Sequence, residues 1–197
     1  MRVISGKFKG KKLILPDAQT TRPLRDFVKE NIFNLIMHSK EIKFNFRNSN
    51  ICDLFAGSGS FGIECLSRDA KHVTFVEQNK SVLKILKNNI LKIQSQSNYE
   101  IIENDVLHFL TTRKLGINFN LIFIDPPYQF KKVDEIFKLI TNNFRSNIII
   151  FHTHVKNKLK RISYGPFRLD KLNPAQINIA SAKEISFYES HIRKIQR

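Results

Sequence analysis

The chain has no tryptophan, two cysteines, and about half as many acidic as basic side chains, 17 against 33. Two cysteines exclude a disulfide-stapled secreted scaffold. Cys52 and Cys65 both fall inside expected buried elements and read as reduced core residues of a cytoplasmic protein. No apolar run approaches the roughly 18 residues a membrane helix needs. The start, Met1-Arg2-Val3-Ile4-Ser5-Gly6, lacks the apolar centre of a signal peptide. The aromatics are mostly phenylalanine at core spacings, so they offer no nucleobase-stacking platform beyond Tyr128. No serine, cysteine or histidine sits in a visible nucleophile-plus-base arrangement. His152-x-His154 has no convincing third ligand, so it reads as a strand end and no metal is expected. There is no internal repeat and no low-complexity linker.

The scarcity of acids leaves a formal net charge of +16. Such a field attracts polyanions. The chain is also rich in Ile, Asn and Lys, a bias that an AT-rich genome alone produces. The charge therefore points towards nucleic acid without establishing it.

At 197 residues the chain fits one domain, large enough to bury roughly 70% of its unfolded surface. We read residues 1–40 as an N-terminal extension and 41–197 as the core of that single domain. Arg2 to Phe8 and Lys11 to Leu15 are strand-like around a Lys9-Gly10 turn, a strongly basic β-hairpin. Arg2, Lys7, Lys9 and Lys11 on it could follow a phosphate backbone, or guard an edge against aggregation. Pro23 opens a helix to about Ser39, with Phe27, Val28, Asn31, Ile32, Leu35 and Ile36 as its apolar face. Arg22, Arg25 and Lys29 near its start suit either a bound anion or solvent. After a charged linker, strands are expected at 51–56, 72–77, 99–103, 119–124 and 147–152. Helices are expected at 60–69, 79–94, 106–112 and 132–144. This alternation implies a Rossmann-like, doubly wound α/β fold with a mostly parallel seven-stranded sheet and an antiparallel edge. The edge is assigned to strand-like runs at 166–172 and 185–192 flanking a polar loop.

Two turns carry the chemistry. The first, Ile51-Cys52-Asp53-Leu54-Phe55-Ala56-Gly57-Ser58-Gly59-Ser60-Phe61-Gly62, is a buried strand, a G-x-G-x-x-G turn and a helix start. That arrangement binds nucleotide-like ligands in open α/β sheets. Glu77, at the end of the second strand, can accept both hydroxyls of a ribose, which nicotinamide cofactors and S-adenosylmethionine share. Asp53 separates them. A carboxylate there repels a pyrophosphate seated on the turn, and suits a ligand carrying an ammonium and a sulfonium. Asp53 capping local backbone is the plainer alternative. Asp53, Phe55, Gly57, Gly59 and Glu77 are the candidate cofactor residues of these two strand ends, and the third strand ends at Asn104-Asp105, which join the set on the resemblance described below.

The second turn, Asp125-Pro126-Pro127-Tyr128, follows the fourth strand, where such folds place their sites. Neither proline has an N–H, so the turn displays carbonyl acceptors. With the Asp125 carboxylate they suit a substrate –NH₂, and Tyr128 offers a face for a base to stack on. These four residues are the candidate catalytic set for methylating the exocyclic amine of a base that is unpaired or flipped out.

Together these features resemble the RsmD family, the 16S ribosomal RNA guanine-N2 methyltransferases. The likeness runs through Met1 to Lys7, Thr21-Arg22-Pro23 with Asp26, Val28, Glu30 and Phe33-Asn34, then Asp53 to Gly59, Leu66-Ser67-Arg68, Val76-Glu77 and Asp125 to Tyr128. It implies that Asp53, Gly57 and Glu77 hold S-adenosylmethionine with Asp105 near the adenine, and that Asp125 to Tyr128 hold a guanine amine. It also implies 16S rRNA as substrate, in a 30S subunit or assembly intermediate. Leu24 and Phe27 stand where Thr and Arg are usual, Asp69 where Gly is common, and the tail from Arg161 matches least. The competing readings are a DNA adenine or cytosine amino-methyltransferase, for whose target-recognition region there is little room, and a basic RNA-binding assembly factor with an inactive core. An NAD-linked oxidoreductase is disfavoured by Asp53.

Overall fold

Strand β1 (Asn50–Leu54) runs between two parallel neighbours, β2 (His72–Glu77) and β4 (Asn118–Ile124), and that placement orders the rest of the chain. The structure is a computed structural model in which residues 1–17, 24, 26–38, 44–93, 98–113, 118–127, 129–152, 170–172 and 177–181 are described. β3 (Asn98–Glu103) pairs with β2 and β5 (Arg145–His152) with β4, giving a parallel sheet in the order β3-β2-β1-β4-β5. Between the strands lie α2 (Ser60–Ser67), α3 (Lys80–Ile93), α4 (Val106–Thr112) and α5 (Val133–Asn143), and α1 (Asp26–His38) precedes them. Backbone pairing continues past β5. β7 (Ile177–Ser181) runs antiparallel to β5, and β6 (Asp170–Leu172) antiparallel to β7. Among the described residues no helix is long and apolar enough to cross a membrane.

The central strands read as near-continuous apolar runs because both faces are covered. Ile51, Phe75, Leu121, Phe123 and Ile150 join one core with α1, α2 and α3. Cys52, Leu54, Ile122, Ile124 and Phe151 join the other with α4 and α5. In the first core Phe61 of α2 stacks on Phe123 of β4 at 3.9 Å between ring centroids, and Phe33 of α1 follows at 5.2 Å. Both cysteines are buried free thiols, whose pKa values burial pushes well above normal.

The N-terminal segment departs from the expected hairpin. Its ladder is a single bridge, Arg2 to Lys12, with Val3 N–H donating to the Lys11 carbonyl (3.0 Å) and Leu13 N–H to that of Met1 (3.1 Å). The strands stop there because their donors are used elsewhere. Ile4 and Ser5 donate to the Glu64 carboxylate at 2.7 and 2.9 Å, and Lys7 N–H donates to the Ser67 carbonyl at 2.7 Å. Ile14 N–H donates to Asn89 Oδ1 at 2.7 Å, and Asn89 Nδ2 returns a bond to the Ile14 carbonyl. The loop lies so close to α2 that a Cβ at Gly6 would sit 1.8 Å from the Ser67 carbonyl oxygen. Asp69 has a left-handed φ of 69°, the conformation glycine adopts at no steric cost, and its carboxylate pairs with Lys7.

Helix α1 is rotated from the expected face. Lys29, Ile32, Phe33 and Ile36 are buried at i, i+3, i+4 and i+7, while Phe27 is 65% exposed. Lys29 is therefore not a surface cation. Its Nζ donates to the Arg2 carbonyl (2.7 Å) and Ser60 Oγ (3.2 Å), and lies 3.8 Å from the equally buried Glu64 carboxylate. Burial lowers its pKa, against the opposing pull of Glu64 and Asp26. The tail also differs. The strand forms at Ile177–Ser181, within the stretch assigned to a polar loop, where Ile177, Asn178 and Ile179 alternate apolar and polar in sequence as a strand allows. The run at 185–192 and Pro23 lie outside the described residues.

Glu64 joins the N-terminal loop, α1 and α2, and Arg68 Nε adds a third hydrogen-bond donor at 3.0 Å. Glu64→Ala leaves the buried Lys29 ammonium without its nearest counter-charge and the Ile4 and Ser5 N–H groups without their acceptor. It is expected to lower unfolding stability by about 3–5 kcal/mol in urea titration, whereas the surface change Asp134→Ala should stay within about 0.5 kcal/mol.

Candidate active site

β1 ends abruptly because Phe55 takes a left-handed φ of 62°, followed by Gly57 at 56° and Gly59 at 80°. Glycine suits position 59, since φ is positive there, and a Cβ would lie 2.4 Å from Leu86 Cδ1 and push that methyl aside. The turn is held at every step. Ala56 N–H donates to the Val76 carbonyl at 3.0 Å, and Gly59 N–H to that of Ala56 at 2.8 Å. Gly57 N–H donates to Glu77 Oε2 at 2.9 Å. The Ser58 carbonyl accepts from Asn89 Nδ2 at 2.9 Å, so the same amide holds both the turn and the N-terminal segment.

Asp53 is 1% exposed, and its Oδ2 accepts the Gly62 N–H at 2.9 Å in the first turn of α2. The backbone-capping role is thus present, through one of two oxygens. Burial raises the pKa of Asp53 well above the usual range. The Gly62 bond opposes that rise, and the Asp125 and Glu77 carboxylates add to it. The carboxylates of Glu77 and Asp125, from the two strands that flank β1, thus both act on the buried Asp53 near the C-terminal edge of the sheet.

Glu77 is also fixed at its other oxygen, where Oε1 accepts the N–H groups of Gln78 (3.0 Å) and Asn79 (2.8 Å). At the end of β3, Asn104 Oδ1 accepts the Asp105 N–H at 2.8 Å. Asp105 caps α4, its Oδ1 accepting from Leu107 and His108 at 2.9 and 3.1 Å. Phe55 and Phe130 meet edge to face at 5.0 Å and 70°, an aromatic contact between the glycine turn and the proline turn.

Asp125 follows Ile124, which is paired with Phe151, so His152 stands beside it at the end of β5. His152 Nδ1 lies 2.8 Å from Asp125 Oδ1, with the two side chains 23% and 24% exposed. The Pro127 carbonyl accepts the Phe130 N–H at 2.9 Å, closing the turn after Pro126. Tyr128, Arg22 and Arg25 lie outside the described residues. Of the other basic candidates, Arg2 and Lys9 are exposed, Lys7 pairs with Asp69, and Lys11 Nζ donates to the Lys92 carbonyl at 3.2 Å.

Sequence reasoning missed His152 and Phe130 as neighbours of the site. The usable signal for His152 was its position one residue beyond a parallel strand's apolar run, level with Asp125. Phe130 carried no signal apart from its closeness to the proline pair.

Residues 1–169 match the family model described as conserved hypothetical protein 95. The chain is 35% identical over 161 residues to the ribosomal RNA small subunit methyltransferase D of Haemophilus influenzae, covering 80% of each chain. It is 38% identical over 143 residues to the putative rRNA methyltransferase YlbH of Bacillus subtilis, covering 71% of this chain and 73% of that one. Among solved structures, the putative methyltransferase yhhF from Escherichia coli superposes with a TM-score of 0.74 at 27% identity, over 91% of this chain and 95% of the other. The family model over residues 1–169 and these relatives, each matched over most of the chain, place it in the RsmD family of methyltransferases.

Proposed function

We propose that this protein transfers a methyl group from S-adenosylmethionine to the exocyclic N2 amine of a guanine in 16S ribosomal RNA, in a 30S subunit or assembly intermediate in the cytoplasm. The observation that carries the reading is the meeting of Asp53, Glu77 and Asp125 at the ends of three adjacent strands. That edge is hostile to a pyrophosphate and fits a cationic ligand. Residues 1–197 act in this reading as one domain, with β6 and β7 completing a seven-stranded sheet at an antiparallel edge.

S-adenosylmethionine, when bound, supplies a methyl group already activated by its sulfonium. Glu77, held by three backbone N–H groups, accepts the ribose hydroxyls. Gly57, Gly59 and Phe55 shape the floor, and the second oxygen of Asp53 faces the ligand's positive end. Asn104 and Asp105 border the adenine. On the acceptor side the amine donates one N–H to Asp125 and one to the Pro126 carbonyl, since that of Pro127 already accepts from Phe130. This aims the nitrogen lone pair along the forming N–C bond as the S–C bond breaks. The positive charge developing on nitrogen is stabilised by Asp125, and the surplus proton leaves to Asp125 or water. Tyr128 stacks on the extruded base. Arg2, Lys7, Lys9, Lys11, Arg22 and Arg25 contact RNA phosphates.

Asp125→Ala is expected to cut methyl transfer from labelled donor to undermethylated small subunits by about 100- to 1000-fold. S-adenosylmethionine affinity by calorimetry should stay within about threefold. Unchanged turnover would refute the acceptor role.

Asp53 gives a second test. Its raised folded-state pKa means that its contribution to stability is complete below the unfolded value near 3.8 and is lost as pH rises towards the folded value. Asp53→Asn keeps an oxygen for the Gly62 N–H and removes the charge. It is expected to raise the melting temperature at pH 7 by a few degrees, about 1 kcal/mol, to flatten the pH dependence, and to weaken cofactor binding. A lower melting temperature at pH 7 would contradict this account of Asp53.

A further inference from the structure

We propose that His152 is a positioning residue that holds Asp125 in the orientation needed to accept the substrate amine. This rests on the reading of Asp125 as that acceptor. The two side chains come from neighbouring parallel strands, each one residue past the last paired position, Ile124 opposite Phe151. Their contact is 2.8 Å, from Nδ1 to Oδ1. A carboxylate accepts, so the ring nitrogen donates.

Asp125 needs such a partner. It stands at a strand end, about a quarter exposed, on an edge it shares with the carboxylates of Asp53 and Glu77. Repulsion from Asp53 favours side-chain rotamers turned towards water, where the Asp125 carboxylate is better solvated. The backbone does little to prevent this, because the Asp125 N–H reaches the Leu54 carbonyl at only 3.5 Å. The hydrogen bond from His152 anchors Oδ1 and leaves Oδ2 for the amine. A carboxylate held at one oxygen keeps its second oxygen in a narrow range of directions, as near-attack geometry requires. His152 touches neither reacting atom, so its effect passes through Asp125.

The test compares His152→Ala and His152→Asn in the full-length protein, with undermethylated small subunits and labelled S-adenosylmethionine. Asn carries an amide N–H at the atom position of Nδ1, one bond from Cγ, so it can keep the bond to Asp125. The expected result for His152→Ala is a kcat about 10- to 100-fold lower, with KM for both substrates within about threefold. His152→Asn should recover kcat to within about fivefold of the parent protein. Melting temperatures identify any variant that simply fails to fold. Parent-like kcat in His152→Ala overturns the inference, and so does an equal kcat loss in the Ala and Asn variants at unchanged melting temperature. If the parent protein transfers no methyl group to these particles, the functional reading itself fails, which is a different outcome from an active parent with an indifferent His152.

Discussion

Like charge at one sheet edge is the constraint on which the site depends. Parallel pairing of β1 with β2 and β4 aligns Leu54 with Val76 and Ile124. That register carries Asp53, Glu77 and Asp125 to one rim. Glu77 and Asp125 both disfavour the ionised form of Asp53, and its burial disfavours that form more. Backbone N–H groups from Gly57, Gly62, Gln78 and Asn79 offset the repulsion in part. A cationic ligand would offset more of it. A binding site whose residues work against stability in the absence of their ligand is the local conflict that functional sites retain.

The glycine turn is supported from behind by the N-terminal extension. Asn89 bonds both Ser58 and Ile14, and Lys29 bonds both Ser60 and Arg2. The two residues that flank Gly59 are thus fixed by buried polar side chains that also hold residues 1–17. The basic segment proposed to meet RNA is therefore fastened to the turn proposed to meet the cofactor.

The sheet and its order of helices were legible in the sequence because parallel strands buried on both faces must read as apolar runs, and Gly57, Gly59 and Gly62 mark the one turn among them that needs them. The apolar side expected of α3, Val82, Ile85, Leu86, Asn89, Ile90 and Ile93, was legible for the same reason: all are buried except the half-buried Ile85, and Leu83 is buried beside them. The face of α1 was not. A buried lysine looks like a surface lysine until Glu64, distant in sequence, is brought against it. The hairpin was overextended because its backbone donors are claimed by Glu64, Ser67 and Asn89, and nothing local to residues 2–15 reveals those partners. At the candidate site, Asp53, Glu77 and Asp125 announced themselves by residue type at a strand end. His152 did not, since its meaning lies in the register between β4 and β5.

The most direct measurement is a crystal structure of the full-length protein with S-adenosylhomocysteine. The account predicts the ribose hydroxyls on the Glu77 carboxylate, the amino acid end towards Asp53, and the sulfur on the side of Asp125. A ligand seated away from Glu77, or Asp125 turned out of the cleft in that complex, would contradict it.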